Sequence, residues 1–492
     1  MRSLARLGTS KPLKSLAASV GYEYFRAHPD ALQEPDLGEL KPHLSVSAWR
    51  ELRGLLLPEP PGPCPASIDG IEAWFRQQYL PFRIAAQDAP VALDIGQGFA
   101  DRVLNLYQEA LAGTEYAELV SWIKARSLPW RVGCTILVLF DGLTFPDAEH
   151  FLTFLRELDT SDRLTLKSTS VVLAPLPTTT RVAKLAIARG RSPAEAANSP
   201  PLGTEFRRDQ ELREALAKAS VGQVFVWLLA EPDKEYHANA PPDEVLSNVE
   251  GKLRSIASRL ISVTRSVPDS TPLRVILTTD HGRLLGASKR AIEVPEGWEA
   301  DGRVAYGTAG PGFATPEGTR LLKRQVYELP QDAIVALGSA AFRPNGGSVS
   351  VSFAHGGAFP EEVLIPWMEL HRDLEIRWPT AEIRGDGTNG GAGRLRLKVR
   401  NEGELAFSVV GFGLKMGVER EYSMAAELGP FRAFDIERVW APPWPKPKDA
   451  QDASAWILVA APGGVTKRID VAPEIAVREA YAVRDNPLKE LK

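Results

Sequence analysis

Five short polar clusters in this 492-residue chain contain the residue types of a metal centre. Three aspartates and three histidines occur in four of them, and the fifth is a run of threonines. Carboxylate oxygens and imidazole nitrogens are ligands for borderline divalent cations, and three of each can hold two ions with coordination left open. The clusters are Asp141-Gly142, Pro177-Thr178-Thr179-Thr180, Asp233 with His237, Asp280-His281-Gly282, and His355-Gly356-Gly357.

Each cluster directly follows a short apolar run, which predicts where the chain places it. Continuous apolarity is typical of parallel strands that are covered on both faces, and ligands of such sheets bind beyond the carboxyl ends of the strands. The sequence therefore predicts a doubly wound, mostly parallel α/β sheet with the five clusters along one edge. The runs are TILVLF ending at Phe140, SVVLAPL at Leu176, VFVWLLA at Ala230, RVILTT at Thr279 and SVSVSFA at Ala354.

A crossover helix is predicted between the third and fourth runs, because apolar residues recur there at helical spacing. They are Val245, Val249, Leu253, Ile256, Leu260 and Val263.

The charge balance of the predicted centre favours an anionic substrate. Two divalent ions less three aspartates leave a positive site, which suits a phosphate and an alkoxide formed at neutral pH. A single aspartate or histidine at a strand end is more often a helix cap or a satisfied polar residue, but five such clusters on one predicted sheet edge indicate a metal centre. The chain has no HExxH zinc-protease motif, no GxxxxGK[ST] phosphate loop and no C-x-P-x-R sulfatase-type motif.

The ordered series FDG, PTTT, PDKEYH, TDHG and AHGG resembles the alkaline phosphatase superfamily. Within it, PLPTTTRVAKLAIARG and HGGAFPEEVLIPWM look like the PglZ domain family, which is known from bacterial phage-exclusion (BREX) operons. The resemblance covers about Thr135 to Met368, roughly half of the chain, and implies nothing about either flank.

The resemblance implies one metal held by Asp233, His237 and His355, and a second held by Asp141, Asp280 and His281. It implies two divalent ions, with zinc preferred over manganese or magnesium. Thr180 would be the nucleophile; it opens the predicted helix RVAKLAIARG, whose first amides could face a phosphate. Thr144 is the rival candidate for the nucleophile. The alternative interpretation is that its hydroxyl only forms part of a turn.

Family members often carry a basic residue shortly after the first DG, where this chain has Leu143 and Thr144. We therefore expect Arg181, Lys184 or Arg283 to bind the substrate phosphate instead. The stretch between His281 and His355 has further basic residues, interpreted either as a cap that binds the rest of a nucleotide or as a solvated surface. They are Lys289, Arg290, Arg303, Arg320, Lys323 and Arg324.

Three domains are predicted. Residues 1–130 have helical stretches at Gly70 to Tyr79 and Ala100 to Leu111, and form a mostly helical N-terminal domain. Residues 131–372 form the alkaline-phosphatase-like catalytic domain, with a cap or insertion at 282–350. Residues 373–492 alternate strands with turns, including the glycine-rich GDGTNGGAG, and form a C-terminal β-sandwich.

Composition restricts the setting. A net charge of -4 and a pI near 6.1 argue against a protein that coats nucleic acid electrostatically. Two cysteines give no disulfide framework, and the basic N-terminal stretch is not typical of a signal peptide, so we expect a cytoplasmic protein. No apolar run approaches the roughly 20 residues of a membrane helix.

The leading hypothesis is a metal-dependent phosphodiesterase or nuclease that cleaves a nucleotide or oligonucleotide diester in bacterial phage defence or signalling. One alternative is a metal-stabilised scaffold with weak or vestigial phosphatase activity that assembles protein partners of a defence complex. A phosphomonoesterase or phosphomutase is the third. The natural substrate and the oligomeric state do not follow from the sequence.

Overall fold

The computed structural model of the chain describes residues 11–28, 57–86, 89–161, 163–238, 241–343, 350–440 and 443–479, and isolated residues between 31 and 52. Residues 1–10 of the predicted N-terminal domain, 344–349 of the predicted cap and 480–492 of the predicted sandwich lie outside these ranges.

The helices lie mainly in the first 265 residues. They are α1 Lys11–Ala27, α2 Ile68–Ala73, α3 Leu80–Ala86, α4 Pro90–Leu111, α5 Ser121–Lys124, α6 Phe145–Leu158, α7 Thr180–Arg189, α8 Pro193–Ala196, α9 Asp209–Leu216, α10 Asp233–Tyr236, α11 Pro242–Thr264, α12 Arg324–Tyr327, α13 Pro360–Val363 and α14 Pro447–Gln451. A π-helical turn at Trp74–Tyr79 and 3-10 turns at Glu115–Leu119 and Ala125–Ser127 join some of them. Among the described helices, none combines the length and apolarity needed to cross a membrane.

The strands form five sheets. They are β1 Cys134–Asp141, β2 Leu164–Leu173, β3 Thr204–Phe206, β4 Val224–Pro232, β5 Leu273–Thr279, β6 Ala287–Glu293, β7 Glu299–Asp301, β8 Val304–Gly307, β9 Thr319–Leu322, β10 Asp332–Ala336, β11 Ala341–Arg343, β12 Ser350–Ser352, β13 Leu364–Arg372, β14 Thr380–Thr388, β15 Gly393–Arg400, β16 Phe407–Met416, β17 Val418–Leu428, β18 Ala433–Trp440, β19 Ser454–Ala460, β20 Thr466–Val471 and β21 Glu474–Arg478.

The central sheet has six strands in the order β2-β13-β5-β1-β4-β3. Strand β1 pairs in parallel with β4 and β5, and β3 pairs in parallel with β4. Strand β13 is antiparallel to both of its neighbours, so five strands run one way and one runs the other. The predicted architecture, a doubly wound and mostly parallel sheet flanked by a helical N-terminal region and a C-terminal β-sandwich, is confirmed.

The fifth apolar run was wrongly predicted to be a strand of this sheet. Residues Ser350–Ser352 form the short strand β12, which pairs with β6 outside the central sheet, and β13 takes the place beside β5. The reason is in the pattern: SVSVS alternates polar and apolar residues, as strands covered on one face do, whereas LIPWMEL is nearly continuously apolar and buried.

Two hydrophobic cores cover the two faces of the central sheet. One contains N-terminal helices and residues of the cap, for example Phe99 and Tyr306, packed around Leu137 and Leu139 of β1. The other contains α6, α9 and α11. All six apolar residues of the predicted crossover helix are buried in α11, which confirms that prediction. The N-terminal helices thus share a core with the sheet, and the domain boundary at 130/131 stays a prediction.

Described residues of the predicted cap form two small sheets, β7-β8-β10-β9 and β11-β6-β12. The segment after β13 folds into two four-stranded sheets, β18-β15-β14-β21 and β17-β16-β19-β20, that enclose a common core.

The glycine-rich GDGTNGGAG does not form the predicted turn along its whole length. Its first four residues belong to β14, and its last glycine opens β15. A Cβ on Gly387 would lie 2.5 Å from the Trp444 ring, so this glycine makes room for the indole within a strand. Only residues 389–392 turn.

Candidate metal centre

The candidate ligands come together at the carboxyl ends of three adjacent parallel strands. Asp141 is the last residue of β1, Asp233 follows β4, and Asp280 and His281 follow β5. Because these strands share direction and are neighbours, their ends meet at one point of the sheet edge. His355 reaches the same point from the loop before α13.

Among the described residues, two groups of three side chains have ligand atoms that all lie within 4.8 Å of one another. One is Asp141, Asp280 and His281, the set predicted for the second metal. The other is Asp233, His281 and His355, which contains two of the three predicted ligands of the first metal and shares His281. The structure therefore brings five of the six predicted ligands into one continuous cluster.

His237 is the sixth predicted ligand and lies on the exposed side of the cluster. Its Nε2 is 3.2 Å from Asp233 Oδ2, and its side chain is 54% exposed. Asp233 is the first residue of the short helix α10 and His237 caps its C-terminal end, so one helical turn brings the two side chains onto the same side. Its ring centroid is 5.6 Å from that of His355. His237 can therefore join Asp233 and His355 as the outermost ligand.

The ring of His281 has a fixed orientation. Its Nδ1 lies 2.9 Å from the carbonyl of Gly282, to which it donates, so Nε2 faces the cluster. This nitrogen is 3.6 Å from Asp141 Oδ1 and 3.8 Å from Asp280 Oδ1. A backbone carbonyl that holds the far nitrogen of an imidazole is the usual outer support of a metal-ligating histidine.

Two buried polar atoms in the cluster have no hydrogen-bond partner among the residues that the structure describes. They are Oδ2 of Asp280, whose side chain is fully buried, and Nδ1 of His355. Leaving such an atom unsatisfied costs about 1–3 kcal/mol or more, and a cation would use Oδ2 of Asp280 as a ligand atom. Together with the oxygen and nitrogen donor set, this carboxylate oxygen shows that the residues fit divalent metal ions.

Positive groups inside the chain stabilise the charges of two aspartates. Burial acts to raise the pKa of Asp141, but the hydrogen bond with His281 and the charge of Lys184 outweigh it and lower the pKa. Burial likewise acts against ionisation of Asp233, and the hydrogen bond with His237 leads the interactions that hold its pKa well below the usual range. Both carboxylates are ionised at neutral pH.

Burial and neighbouring charges also shift the pKa values of the third aspartate and of two histidines. Burial raises the pKa of Asp280. Burial acts to lower the pKa of His281, but the charge of Asp280, followed by the other carboxylates, outweighs it and raises that pKa to about 9. Burial and the charge of His281 lower the pKa of His355, which is neutral at pH 7. Without a cation, protonated His281 balances the aspartates.

Metal affinity is therefore expected to rise with pH. A divalent ion competes with the proton on His281, whose pKa of about 9 makes it charged at neutral pH. Below that pKa, the displacement of one proton gives about a tenfold gain in affinity per pH unit. Calorimetric titration with Zn²⁺ in buffers of different ionisation enthalpy measures the proton released.

The control is His371→Gln, which alters a histidine that is paired with Glu369 on β13. This variant should show the same dependence of zinc affinity on pH as the unaltered chain. An affinity that does not change between neutral pH and pH 9 would contradict the assignment of His281.

Thr180 contacts the cluster directly. It is the first residue of α7, and its Oγ1 lies 2.8 Å from Asp141 Oδ1 and 3.1 Å from His281 Nε2. Thr144 is engaged elsewhere: its buried hydroxyl accepts from the backbone N–H of Asp147 at 3.3 Å, and Asp147 accepts from the Thr144 N–H. Thr144 is therefore the N-cap of α6.

The three predicted phosphate-binding residues have different surroundings. The Arg181 side chain is 51% exposed and pairs with Glu299 of β7 in the predicted cap at 2.9 Å. Lys184 binds Asp141 Oδ2 at 2.8 Å and also contacts the carbonyl of Leu229. Lys184 thus holds a proposed ligand carboxylate in this structure, and Arg181 is open to solvent.

Arg283 is fully buried and holds Asp233. Its Nη2 donates to Asp233 Oδ1 at 2.7 Å, and other donors bind the carbonyls of Gly142 and Phe353. Its guanidinium carbon is 3.8 Å from the centroid of the Tyr236 ring. These contacts use the guanidinium inside the protein, where it supports the carboxylate that is proposed to bind metal.

Sequence reasoning missed the carboxylates behind the cluster. Glu361 accepts from Tyr79 at 2.5 Å and from Arg83 Nε at 2.9 Å, which ties the N-terminal helices to the segment that leads into β13. Glu362 binds Arg303, one of the basic residues assigned to a nucleotide-binding or solvated surface; Arg303 is fully buried and belongs to neither. The signal was the unusual pair of acids in an otherwise apolar segment, AFPEEVLIPW.

Comparison with known proteins gives likeness in structure alone. A scan against protein-family models finds no match to the sequence. A search of curated proteins finds none either. Among solved structures, murine and human ectonucleotide pyrophosphatase/phosphodiesterase 5 match with 13% and 14% identity and TM-scores of 0.33 and 0.34. Each match covers 48% of this chain and 87% of the other. An inactive variant of the murine protein, solved with AMP, matches at 13% identity and a TM-score of 0.32, over 49% of this chain and 88% of that one.

Proposed function

We propose that this chain is a divalent-metal-dependent phosphodiesterase with Thr180 as the nucleophile. The observation that carries the proposal is the position of the Thr180 hydroxyl, 2.8 Å from Asp141 and 3.1 Å from His281 at the edge of the acid–imidazole cluster. A threonine hydroxyl is a weak nucleophile and needs an adjacent base or cation. This one lies where both are available.

The chain's residues would divide the work. Asp233, His237 and His355 would hold one ion and Asp141, Asp280 and His281 the other, with zinc preferred over manganese or magnesium. When bound, the ions supply Lewis acidity that lowers the pKa of a hydroxyl and stabilises phosphate oxygens.

Thr180 would attack phosphorus, so that an Oγ1–P bond forms as the bond to the leaving alcohol breaks. That alcohol leaves with a proton, and water then cleaves the threonine ester. Asp141 orients the hydroxyl, because one of its oxygens accepts from Thr180 and the other is held by Lys184.

Two features support a diester that carries a nucleotide. Thr180 is the first residue of a ten-residue helix, where free backbone N–H groups favour a phosphate. Arg181 follows it and is half exposed, with its guanidinium carbon 5.0 Å from the centroid of the Tyr306 ring. A planar, solvent-exposed cation next to Thr180 in the sequence can bind phosphate and stack on a base. We keep Arg181 as the substrate-binding residue and give Lys184 and Arg283 a supporting part.

The proposed setting is bacterial phage defence or signalling in the cytoplasm, with partner proteins of a defence complex. It rests on the resemblance of HGGAFPEEVLIPWM and PLPTTTRVAKLAIARG to the PglZ domain family, and on the composition of the chain.

A chelator is expected to abolish hydrolysis of bis-nitrophenyl phosphate by the purified chain, and added zinc or manganese to restore it. The clustered aspartates and histidines, with His237 beside them, would have no use in such a reaction without their ions. The measurement is nitrophenol release across a panel of that diester, nitrophenyl phosphate and dinucleotides. Full activity in excess chelator would contradict a metal-dependent reaction.

The same panel separates the alternatives. Preference for nitrophenyl phosphate over the diesters would identify a phosphomonoesterase. Stoichiometric metal binding with no turnover of any ester would favour the metal-stabilised scaffold, in which the cluster serves the fold.

A further inference from the structure

Glu362 is a fully buried carboxylate with all its acceptor positions in use. Oε1 accepts from Arg303 Nε at 2.8 Å and from the N–H of Gly357 at 2.9 Å. Oε2 accepts from Arg303 Nη2 at 3.1 Å and from the N–H of Phe359 at 3.1 Å. Each oxygen thus binds one guanidinium N–H and one backbone N–H of the loop that follows His355. Two-point pairing of this kind fixes both distance and orientation.

Arg303 lies in the predicted cap, and its guanidinium is likewise held by several hydrogen bonds. Besides the two bonds to Glu362, its guanidinium donates to the carbonyls of Gly338 at 2.7 Å and Ala340 at 2.9 Å. Its backbone N–H donates to the carbonyl of His355 at 2.9 Å. One residue of the cap therefore holds the His355 loop by its main chain and, through Glu362, by its side chain.

Gly357 leaves the space for this arrangement. A Cβ at that position would lie 2.5 Å from Arg303 Nη2 and 2.7 Å from Glu362 Oε2. The carbonyl of Gly357 in turn accepts from the Thr178 hydroxyl at 2.9 Å, two residues before the proposed nucleophile. The ion pair is thus packed directly against the glycines that follow His355.

We propose that Arg303 is a positioning residue for the candidate metal centre: acting through Glu362, it fixes His355 as a ligand beside Asp233. The inference rests on the proposed metal centre and goes beyond it, because it makes a residue of the cap part of that centre. A lysine cannot replace Arg303, since a single ammonium group cannot bind both carboxylate oxygens and two carbonyls in one plane.

Substitution of Arg303 or Glu362 should weaken the binding of only one of the two ions. The loop with Asp280 and His281 is held by other bonds: Gly282 N–H donates to the backbone carbonyl of Glu362 at 3.0 Å, and Asp280 Oδ1 accepts from Gly142 N–H at 3.0 Å. Substitution of the Arg303 or Glu362 side chain leaves both bonds in place. A general loss of folding would instead weaken the binding of both ions.

The test measures Zn²⁺ affinity by calorimetry, one ion at a time. In the Asp280→Asn background the remaining ion is the one at Asp233 and His355, and adding Arg303→Lys or Glu362→Gln should weaken it about 10- to 100-fold. In the Asp233→Asn background, which leaves the other ion, the same substitutions should not change the affinity. Arg320→Lys is the control, because this cap arginine forms an exposed ion pair with Asp101. Circular dichroism checks folding.

Equal weakening of both ions, or none of either, in folded variants would overturn the proposal. So would failure of both variants to fold beside a folded Arg320→Lys control, because the pair would then serve the fold instead of the site. If the unaltered chain binds no Zn²⁺, the proposed function fails at its base, which is a different result from a chain that binds two ions with no dependence on Arg303.

Discussion

The Thr180→Ala variant is expected to hydrolyse a nitrophenyl phosphodiester about a thousandfold more slowly than the unaltered chain, or worse, with its metal content unchanged. The substitution removes the hydroxyl that lies 2.8 Å from Asp141 Oδ1 and leaves all six proposed ligands. About 4 kcal/mol of lost barrier stabilisation corresponds to that factor. Thr180→Ser should recover part of the rate. Steady-state rates and zinc content by atomic absorption provide the measurement.

Thr144→Ala is the matched control, and its expected effect is on stability. Loss of an N-cap threonine costs about 1 kcal/mol in unfolding free energy, and the rate should stay near that of the unaltered chain. The reverse result, with Thr144 essential and Thr180 dispensable, would refute the assignment. If both variants remain active, water is the attacking group and the threonine ester is abandoned.

The central sheet was predictable because its strands are buried on both faces. Four of the five apolar runs lie within or overlap β1, β2, β4 and β5, and the helix at Thr180 begins at the predicted residue. Burial imposes continuous apolarity, and the polar residue that ends each run then marks the sheet edge. The sequence alone therefore predicts which strand ends carry aspartate and histidine.

The order and direction of strands could not be predicted by the same signal. Apolarity reports burial and not direction, so nothing in LIPWMEL indicated that β13 runs antiparallel between β2 and β5. The glycine-rich segment of the sandwich was misassigned for a related reason. Its glycines accommodate Trp444, which lies more than fifty residues further along the chain, and turn chemistry alone does not reveal such a neighbour.

The binding partners of the basic side chains in the site could not be predicted from their charge. Lys184 and Arg283 were expected to face a substrate, and Arg303 to face either a nucleotide or solvent, since arginine and lysine are mostly exposed. In the structure each binds a carboxylate, and the two arginines are fully buried. Whether a basic residue meets a substrate or an internal acid depends on tertiary contacts, which a single sequence does not contain.

Asp280→Asn is expected to abolish turnover while changing the unfolding free energy of the metal-free chain by no more than about 1 kcal/mol. Burial raises the pKa of Asp280, so the folded state disfavours its charged form. A carboxyl whose pKa is raised by folding adds stability only at low pH and loses it as pH rises, and at pH 7 its charge is a cost. Asparagine removes that charge with little change in shape and can still accept from the N–H groups of Gly142 and His281.

The metal-dependent part of the stability should be lost in this variant. An ion present at a hundred times its dissociation constant stabilises the folded chain by about 2.7 kcal/mol, and the variant lacks one of the sites. Thermal unfolding with and without zinc, at pH 7, measures both effects.

Asp332→Asn is the control for the Asp280 substitution. Asp332 is buried in β10 of the cap and accepts from the N–H groups of Ala309 and Arg324, one on each oxygen. Asparagine cannot accept on both sides, so this variant should lose about 1–3 kcal/mol in unfolding free energy while it keeps its activity and its zinc response. If Asp280→Asn instead destabilises the metal-free chain as much as Asp332→Asn does, then Asp280 is a structural acid, and the predicted second metal loses its central ligand.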